Sequence, residues 1–366
     1  MYYCKKCNIY LKKNIYLINH NLKHNLKITN NKIIEPFKLY LDNNYDYKFK
    51  KNKKYRIFLD KRYNINIINN FKKYENLIFI DLRSKNINEL TKNLTDDDII
   101  FITVNKSNSI FYNLLKLFKK NRFVYFYESI CNVWNIYVKL EQYIDVIFCQ
   151  SFTLQKSIWV PGYHFQFSNF LNDKKYNFIL DEPEKKNKLI CLSPIGSGIG
   201  FKFRYPIIKY FSENTDIDLF INNKKYNCLK NIKILKDNRK NTDLRLLCHL
   251  KTDLFKKYKF VLVMENNNTF GTFTEKLIDV FGSLSVPIYY GSVNISQILP
   301  DLFNNAVIDG SQYNLDDLIS LINNMTDDEY NSRVNNIKKL RNKYYSKCSI
   351  DNINTLMMKY IINFLE

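Results

Sequence analysis

The sequence predicts an α/β protein made of two parallel-sheet domains behind a small Cys/His-rich segment, and three observations predict it. Short, unbroken apolar runs alternate with amphipathic stretches over residues 50–170, a second such series fills 185–345, and the pattern C-x2-C-x12-H-x3-H opens the chain. Strands that are apolar throughout, and not on alternate residues, are those buried on both faces, as in a parallel sheet covered by helices. At 366 residues and 46% apolar content the chain can fill two ordinary cores.

The first element is residues 1–27. Cys4, Cys7, His20 and His24 have the spacing of a C2H2 zinc finger, which this segment resembles. Two thiolates and two imidazoles complete a closed tetrahedral zinc site, and the His pair one helical turn apart presents both rings on one face. Leu11 and Leu17 fall where a finger places its small apolar core. Zinc supplies most of the folding energy of such a unit. A single finger reads only ~3 base pairs, so a nucleic-acid contact, a protein contact and a purely structural role are all open.

Composition narrows the partners. Lys and Arg outnumber Asp and Glu 56 to 35, a net charge of +21, which favours anionic partners such as nucleotides, nucleic acid or acidic membrane. Lys- and Asn-rich tracts spread that charge over all surfaces. The basic, polar start lacks a signal-peptide core, and no apolar run reaches ~18 residues, so the chain is expected to be soluble and cytoplasmic. Eight scattered cysteines, mostly inside apolar runs such as "VIFCQ" and "LICLSP", read as reduced, buried thiols and not as a disulfide framework.

Strands of the first domain are expected at "YRIFLD", "NLIFIDLRS", "DIIFITV", "FVYFYES" and "DVIFCQS". The charged stretch 168–188, around Pro183, reads as a linker. The second series is "KLICLSP", "DIDLFIN", "KFVLVMEN", "SVPIYYG" and "NAVIDG". Thr326 and Glu329 form a capping box that opens a helix to about Tyr345, and residues 350–366 read as a last amphipathic helix. The whole suggests two Rossmann-type domains with a cleft between them.

Two stretches point to chemistry. All eight glycines lie after residue 160, and three fall in "GSGIG", 196–200, directly after a strand. Gly196 and Gly198 allow a tight turn and a close approach of backbone N–H groups to phosphate, and Arg204 follows at the start of the helix-like "FRYPIIKYF". In "MENNNTFGTFTEKLIDVFGSL" a buried strand leads to Thr274 as N-cap, and Leu277, Ile278, Phe281 and Leu284 form a helical stripe. Glu275 and Lys276 then stand in the first turn, where unpaired N–H groups and the lysine favour an anion. A glutamate beside a phosphate site suits a ribose diol, so the pair suggests a nucleoside diphosphate.

These residues carry a resemblance. "MEN", "TEK" ten residues on and "VPIYYG" are similar to the α1,3-fucosyltransferase family, glycosyltransferase family 10, of the soluble bacterial or viral type, whose signature runs Phe-Glu-Asn, Tyr-x-Thr-Glu-Lys, Val-Pro-x-x-x-Gly. "FYESI", 126–130, resembles the family's Glu-Ser-Pro element. The resemblance implies a GT-B-like fold with an acceptor domain at 50–170 and a nucleotide-sugar domain at 185–345, and inverting transfer of L-fucose from GDP-fucose to a glycan hydroxyl. It makes Glu128 the general base, sets Lys276 and Arg204 on the diphosphate and Glu275 on the ribose, and puts Glu265, Asn266 and Thr274 in the donor site. No catalytic metal is implied. Met264 stands for the family's Phe, Thr272 for its Tyr with Phe273 beside it, and Ile130 for its Pro.

Two other readings stay open. The finger and the basic surface suit a nucleic-acid-binding protein with a degenerate or nucleic-acid-decorating transferase domain. Asp216 and Asp218 in "DID" match the Asp-x-Asp pattern of metal-dependent transferases, although alternation inside a strand places them on a surface face. His164 and His249 read equally as packing residues and as acid–base groups, with no third partner to name.

Overall fold

The computed structural model describes residues 2–4, 9–11, 53–60, 67–69, 71–72, 74–84, 87–104, 112–126, 136–150, 156–160, 185–192, 199–221, 229, 232–234, 251–266, 271–292, 295–347 and 350–365. A short antiparallel hairpin, β1 (Tyr2–Cys4) and β2 (Ile9–Leu11), pairs Cys4 with Ile9. The chain divides into two units, Met1–Gly162 with Ile350–Glu366, and Tyr163–Ser349. The longer helices are α1 (Ile199–Asn214), α2 (Glu275–Phe281), α3 (Leu315–Asn324), α4 (Asp327–Lys347) and α5 (Ile350–Leu365).

The sheet of the first unit contains β3 (Tyr55–Leu59), β4 (Leu77–Asp81), β5 (Ile99–Val104), β6 (Arg122–Phe126), β7 (Val146–Cys149) and β8 (Ser157–Trp159). All neighbours are parallel, in the order β4-β3-β5-β6-β7-β8. The apolar runs are explained by burial on both faces. On one face Phe58, Ile100, Ile102, Val104, Val124, Phe126, Ile147 and Cys149 form a core with Leu115, Phe118 and Leu140. On the other, α5 brings Phe364 to 5.4 Å from Phe123 and Tyr360 to 5.7 Å from Phe148, ring centre to ring centre. The final helix thus completes the unit that begins the chain.

The sheet of the second unit contains β9 (Lys186–Leu192), β10 (Asp218–Ile221), β11 (Ile232–Ile234), β12 (Tyr258–Met264), β13 (Val286–Tyr290) and β14 (Ile308–Asp309). The order β11-β10-β9-β12-β13-β14, all parallel, is the doubly wound 3-2-1-4-5-6 arrangement. Strand order reverses between β9 and β12. Outside the carboxyl ends of two such strands the connections diverge and leave a crevice, the usual ligand position in this topology.

The runs read as strands are strands. The edge strands β8 and β11, three residues each, carry too few positions for periodicity to mark them. The capping box forms as expected: Thr326 N and Oγ1 donate to Glu329 Oε2 at 2.9 and 3.0 Å, and Glu329 N donates to Thr326 Oγ1 at 3.2 Å. Cys149 and Cys191 are buried thiols outside any disulfide, and burial pushes the pKa of Cys191 up to about 12. Asp218 is not on a surface face. It is 2% exposed, because Lys188 (2.8 Å) and the Tyr258 hydroxyl (2.5 Å) satisfy its carboxylate, whereas Asp216 projects outward and meets Lys188 at 3.0 Å. Among the described residues no helix is long and apolar enough to cross a membrane.

Candidate functional site

The carboxyl end of β12 delivers Met264, Glu265 and Asn266 to the point where strand order reverses. Glu265 is wholly buried, and every contact of its carboxylate is internal. Oε1 accepts from Thr274 N at 2.9 Å and from the Tyr289 hydroxyl at 3.4 Å; Oε2 accepts from Thr274 Oγ1 at 2.7 Å and from Lys276 Nζ at 3.4 Å. Lys276 also donates to Thr274 Oγ1 at 2.9 Å and meets Glu275 Oε1 at 3.6 Å. A buried carboxylate is tolerated only when it is paired and hydrogen-bonded in this way. Through these bonds it fixes the entry to α2 from behind, leaving Thr274, Glu275 and Lys276 half-buried.

Three sequence expectations are revised here. Thr274 occupies the N-cap position with extended backbone, but its side chain makes no capping bond, because Glu265 engages the hydroxyl. The helix ends at Phe281, short of Leu284: Ser283 Oγ bonds back to the Val280 carbonyl at 2.7 Å, and Leu284 takes φ 54°. With seven residues α2 has little macrodipole to offer, so positive charge here comes chiefly from Lys276. Asp279 and Val280 are buried along with the apolar stripe, and Phe273 is 0% exposed, a core residue.

Arg204 is likewise placed differently. The helix begins at Ile199, so Arg204 stands in its second turn, two residues before Pro206, and is 3% exposed. Its Nε donates to the Glu265 carbonyl at 3.0 Å, Nη2 donates to the Met264 carbonyl at 3.1 Å, and Nη2 also donates to Asn266 Oδ1. It therefore ties the carboxyl end of β12 and orients Asn266. Burial lowers its pKa, opposed by the Glu265 charge.

Sequence reasoning missed two supports. Asp279, one turn past Glu275, receives Lys251 Nζ at 2.9 Å. Burial raises its carboxyl above the ordinary range, Lys251 pulls it down, and Glu275 pushes it up again. Tyr289 is the second. Its hydroxyl also donates to the Thr272 carbonyl at 3.3 Å, and its ring lies so close over Gly291 that a β-carbon there would overlap the phenol and stand 2.8 Å from Glu265 Cγ. This explains the glycine of "VPIYYG".

The structure thus brings together Arg204, Glu265, Asn266, Thr274, Glu275 and Lys276. Gly196, Gly198, Glu128, Cys7, His20, His24, His164 and His249 lie outside the described residues; of Cys4 only the backbone, in β1, is described.

Known proteins bear on the chain. Over 72 residues the chain is 39% identical to an alpha-(1,4)-fucosyltransferase of Arabidopsis thaliana, and over 47 residues 40% identical to the alpha-(1,3)-fucosyltransferase FucT of Helicobacter pylori. The matched parts are 19% and 13% of this chain and span only 17% and 10% of those enzymes. In fold the chain is similar to an alpha1,3-fucosyltransferase solved with GDP (TM-score 0.50, 14% identity, 82% of this chain and 87% of that one). It is also similar to an E. coli trehalose-6-phosphate protein bound with UDP-2-fluoro glucose (TM-score 0.52, 10% identity, 85% and 99%). The paired parallel-sheet α/β architecture is thus similar to that of GT-B glycosyltransferases. The stretch from Arg204 through α4, residues 204–350, matches the family model for the C-terminal part of glycosyltransferase family 10 (fucosyltransferase).

Proposed function

We propose that the chain is an inverting fucosyltransferase that moves L-fucose from GDP-fucose to a glycan hydroxyl. One observation carries the reading: within the segment that matches the family 10 model, a buried glutamate at the strand-order reversal fixes a Thr-Glu-Lys triplet at the sheet's carboxyl edge. In this scheme Lys276 exchanges its carboxylate partners for the donor diphosphate, and Glu275 holds the ribose. Arg204 acts through the backbone it ties and through Asn266. Glu265 is a positioning residue with no ligand contact of its own.

Glu128 is the general base of the scheme. It takes the proton of the acceptor hydroxyl as that oxygen bonds to C1 of fucose. The bond from C1 to the β-phosphate oxygen breaks on the opposite face, and its electron pair leaves with GDP. Fixed cations offset the charge on the leaving group. The Rossmann-type acceptor and donor domains, cytoplasmic location, and a structural zinc on Cys4, Cys7, His20 and His24 belong to the same proposal. The β1–β2 hairpin supports the zinc reading, since a C2H2 finger opens with two strands.

Calorimetric titration with GDP-fucose, other GDP- and UDP-sugars, and a short DNA duplex at two salt concentrations tests the proposal. GDP-sugar binding, followed by transfer that Glu128→Gln abolishes without loss of fold, supports it. Binding of duplex alone, with a steep salt slope, overturns it in favour of the nucleic-acid reading.

A further inference from the structure

Tyr290, the last residue of β13, is 7% exposed, and its hydroxyl has no hydrogen-bond partner among the described residues. Its neighbour Tyr289 differs, because its hydroxyl finds both Glu265 and the Thr272 carbonyl. A phenol buried only for its ring could be a phenylalanine; a buried hydroxyl stripped of water and left unpaired is a net cost that packing does not explain.

Position says what it waits for. Tyr290 pairs in register with Met264, and its carbonyl accepts from Glu265 N at 2.9 Å, so it stands beside the strand end that organises the candidate site. Its ring packs on the backbone after β14, where a β-carbon on Gly310 would come within 2.5 Å of it. Tyr290 therefore stands at the carboxyl edge, where ligands of this fold bind. Burial raises its pKa, and Asp309 raises it further, so the group remains a proton donor and calls for an acceptor oxygen.

We propose that Tyr290 Oη donates a hydrogen bond to an oxygen of the bound nucleotide, a ligand contact at a position the family signature leaves variable. The inference rests on the donor-site reading above. To test it, wild type, Tyr290→Phe and Tyr289→Phe are titrated calorimetrically with GDP and with GMP, alongside thermal unfolding.

For Tyr290→Phe the expected result is GDP binding about five- to tenfold weaker with no fall in Tm. Tyr289→Phe, which loses internal bonds, lowers Tm. A parallel loss for GMP places the contact on the nucleoside monophosphate part, and a loss for GDP alone places it on the second phosphate. Unchanged GDP affinity in Tyr290→Phe overturns the inference while leaving the donor site intact, and so does a weakening accompanied by an equal loss of stability. Wild type that binds no GDP removes the donor-site reading itself.

Discussion

Replacing Glu265 with glutamine tests whether one buried charge organises the Thr-Glu-Lys triplet. The carboxylate accepts two close bonds from Thr274, at 2.9 and 2.7 Å, and a longer one from Lys276 at 3.4 Å. Glutamine keeps a single acceptor oxygen and turns an amide NH2 toward groups that are themselves donors. One bond survives without its charge, one must reverse, and the lysine loses its buried counter-charge. With charge-assisted bonds worth about 1.5–3 kcal/mol and neutral ones about 1 kcal/mol, the change costs about 2–3 kcal/mol. At about 2–4 °C per kcal/mol for a unit of this size, Tm falls by about 4–12 °C. GDP affinity, measured calorimetrically below that transition, falls about tenfold because Thr274 and Lys276 lose their alignment. An E265Q protein with wild-type Tm and wild-type GDP affinity would refute the reasoning.

Other outcomes follow from the same structure. Gly291→Ala drives a methyl group into Tyr289 and toward Glu265 Cγ, so thermal unfolding should show a loss of about 1–3 kcal/mol together with weaker GDP binding. Thr326→Ala breaks the reciprocal cap of α4 and costs about 1 kcal/mol in urea unfolding, with GDP affinity unchanged. In the first unit Asp145 accepts from Arg122 N, Nε and Nη2 at 2.9, 3.0 and 2.8 Å. Burial pushes that carboxyl up, but the Arg122 bonds outweigh it and hold the pKa below the usual carboxylate range. The folded value is depressed, so the stabilisation is complete above the ordinary aspartate range and lost as pH falls through the folded value. Urea unfolding should show wild type more stable than Asp145→Asn by about 1–2 kcal/mol at neutral pH, with the gap closing below about pH 4.

What the sequence discloses follows from how local each cause is. Central strands such as β5 and β12 are legible because burial on both faces writes an unbroken apolar run into the chain. The α4 cap is legible because both partners sit within three residues. Asp218 is not: the lysine and tyrosine that permit its burial come from neighbouring strands. Arg204 is legible as a cation near the site, but its attachment to the end of β12, some sixty residues on, is a tertiary fact. Thr274 illustrates local propensity overridden, since a threonine at an N-cap ordinarily caps, and a buried glutamate nine residues earlier takes its hydroxyl instead.

Because α5 belongs with residues 1–162, the opening unit is discontinuous in sequence while the second unit is a single uninterrupted piece. During translation, the aromatic face around Phe123 and Phe148 must wait for residues 350–365 to emerge, by which time the inserted unit can already have folded. Residues 163–349 are therefore the natural fragment to express by itself, whereas a product cut at 349 leaves its older half uncovered and prone to aggregate.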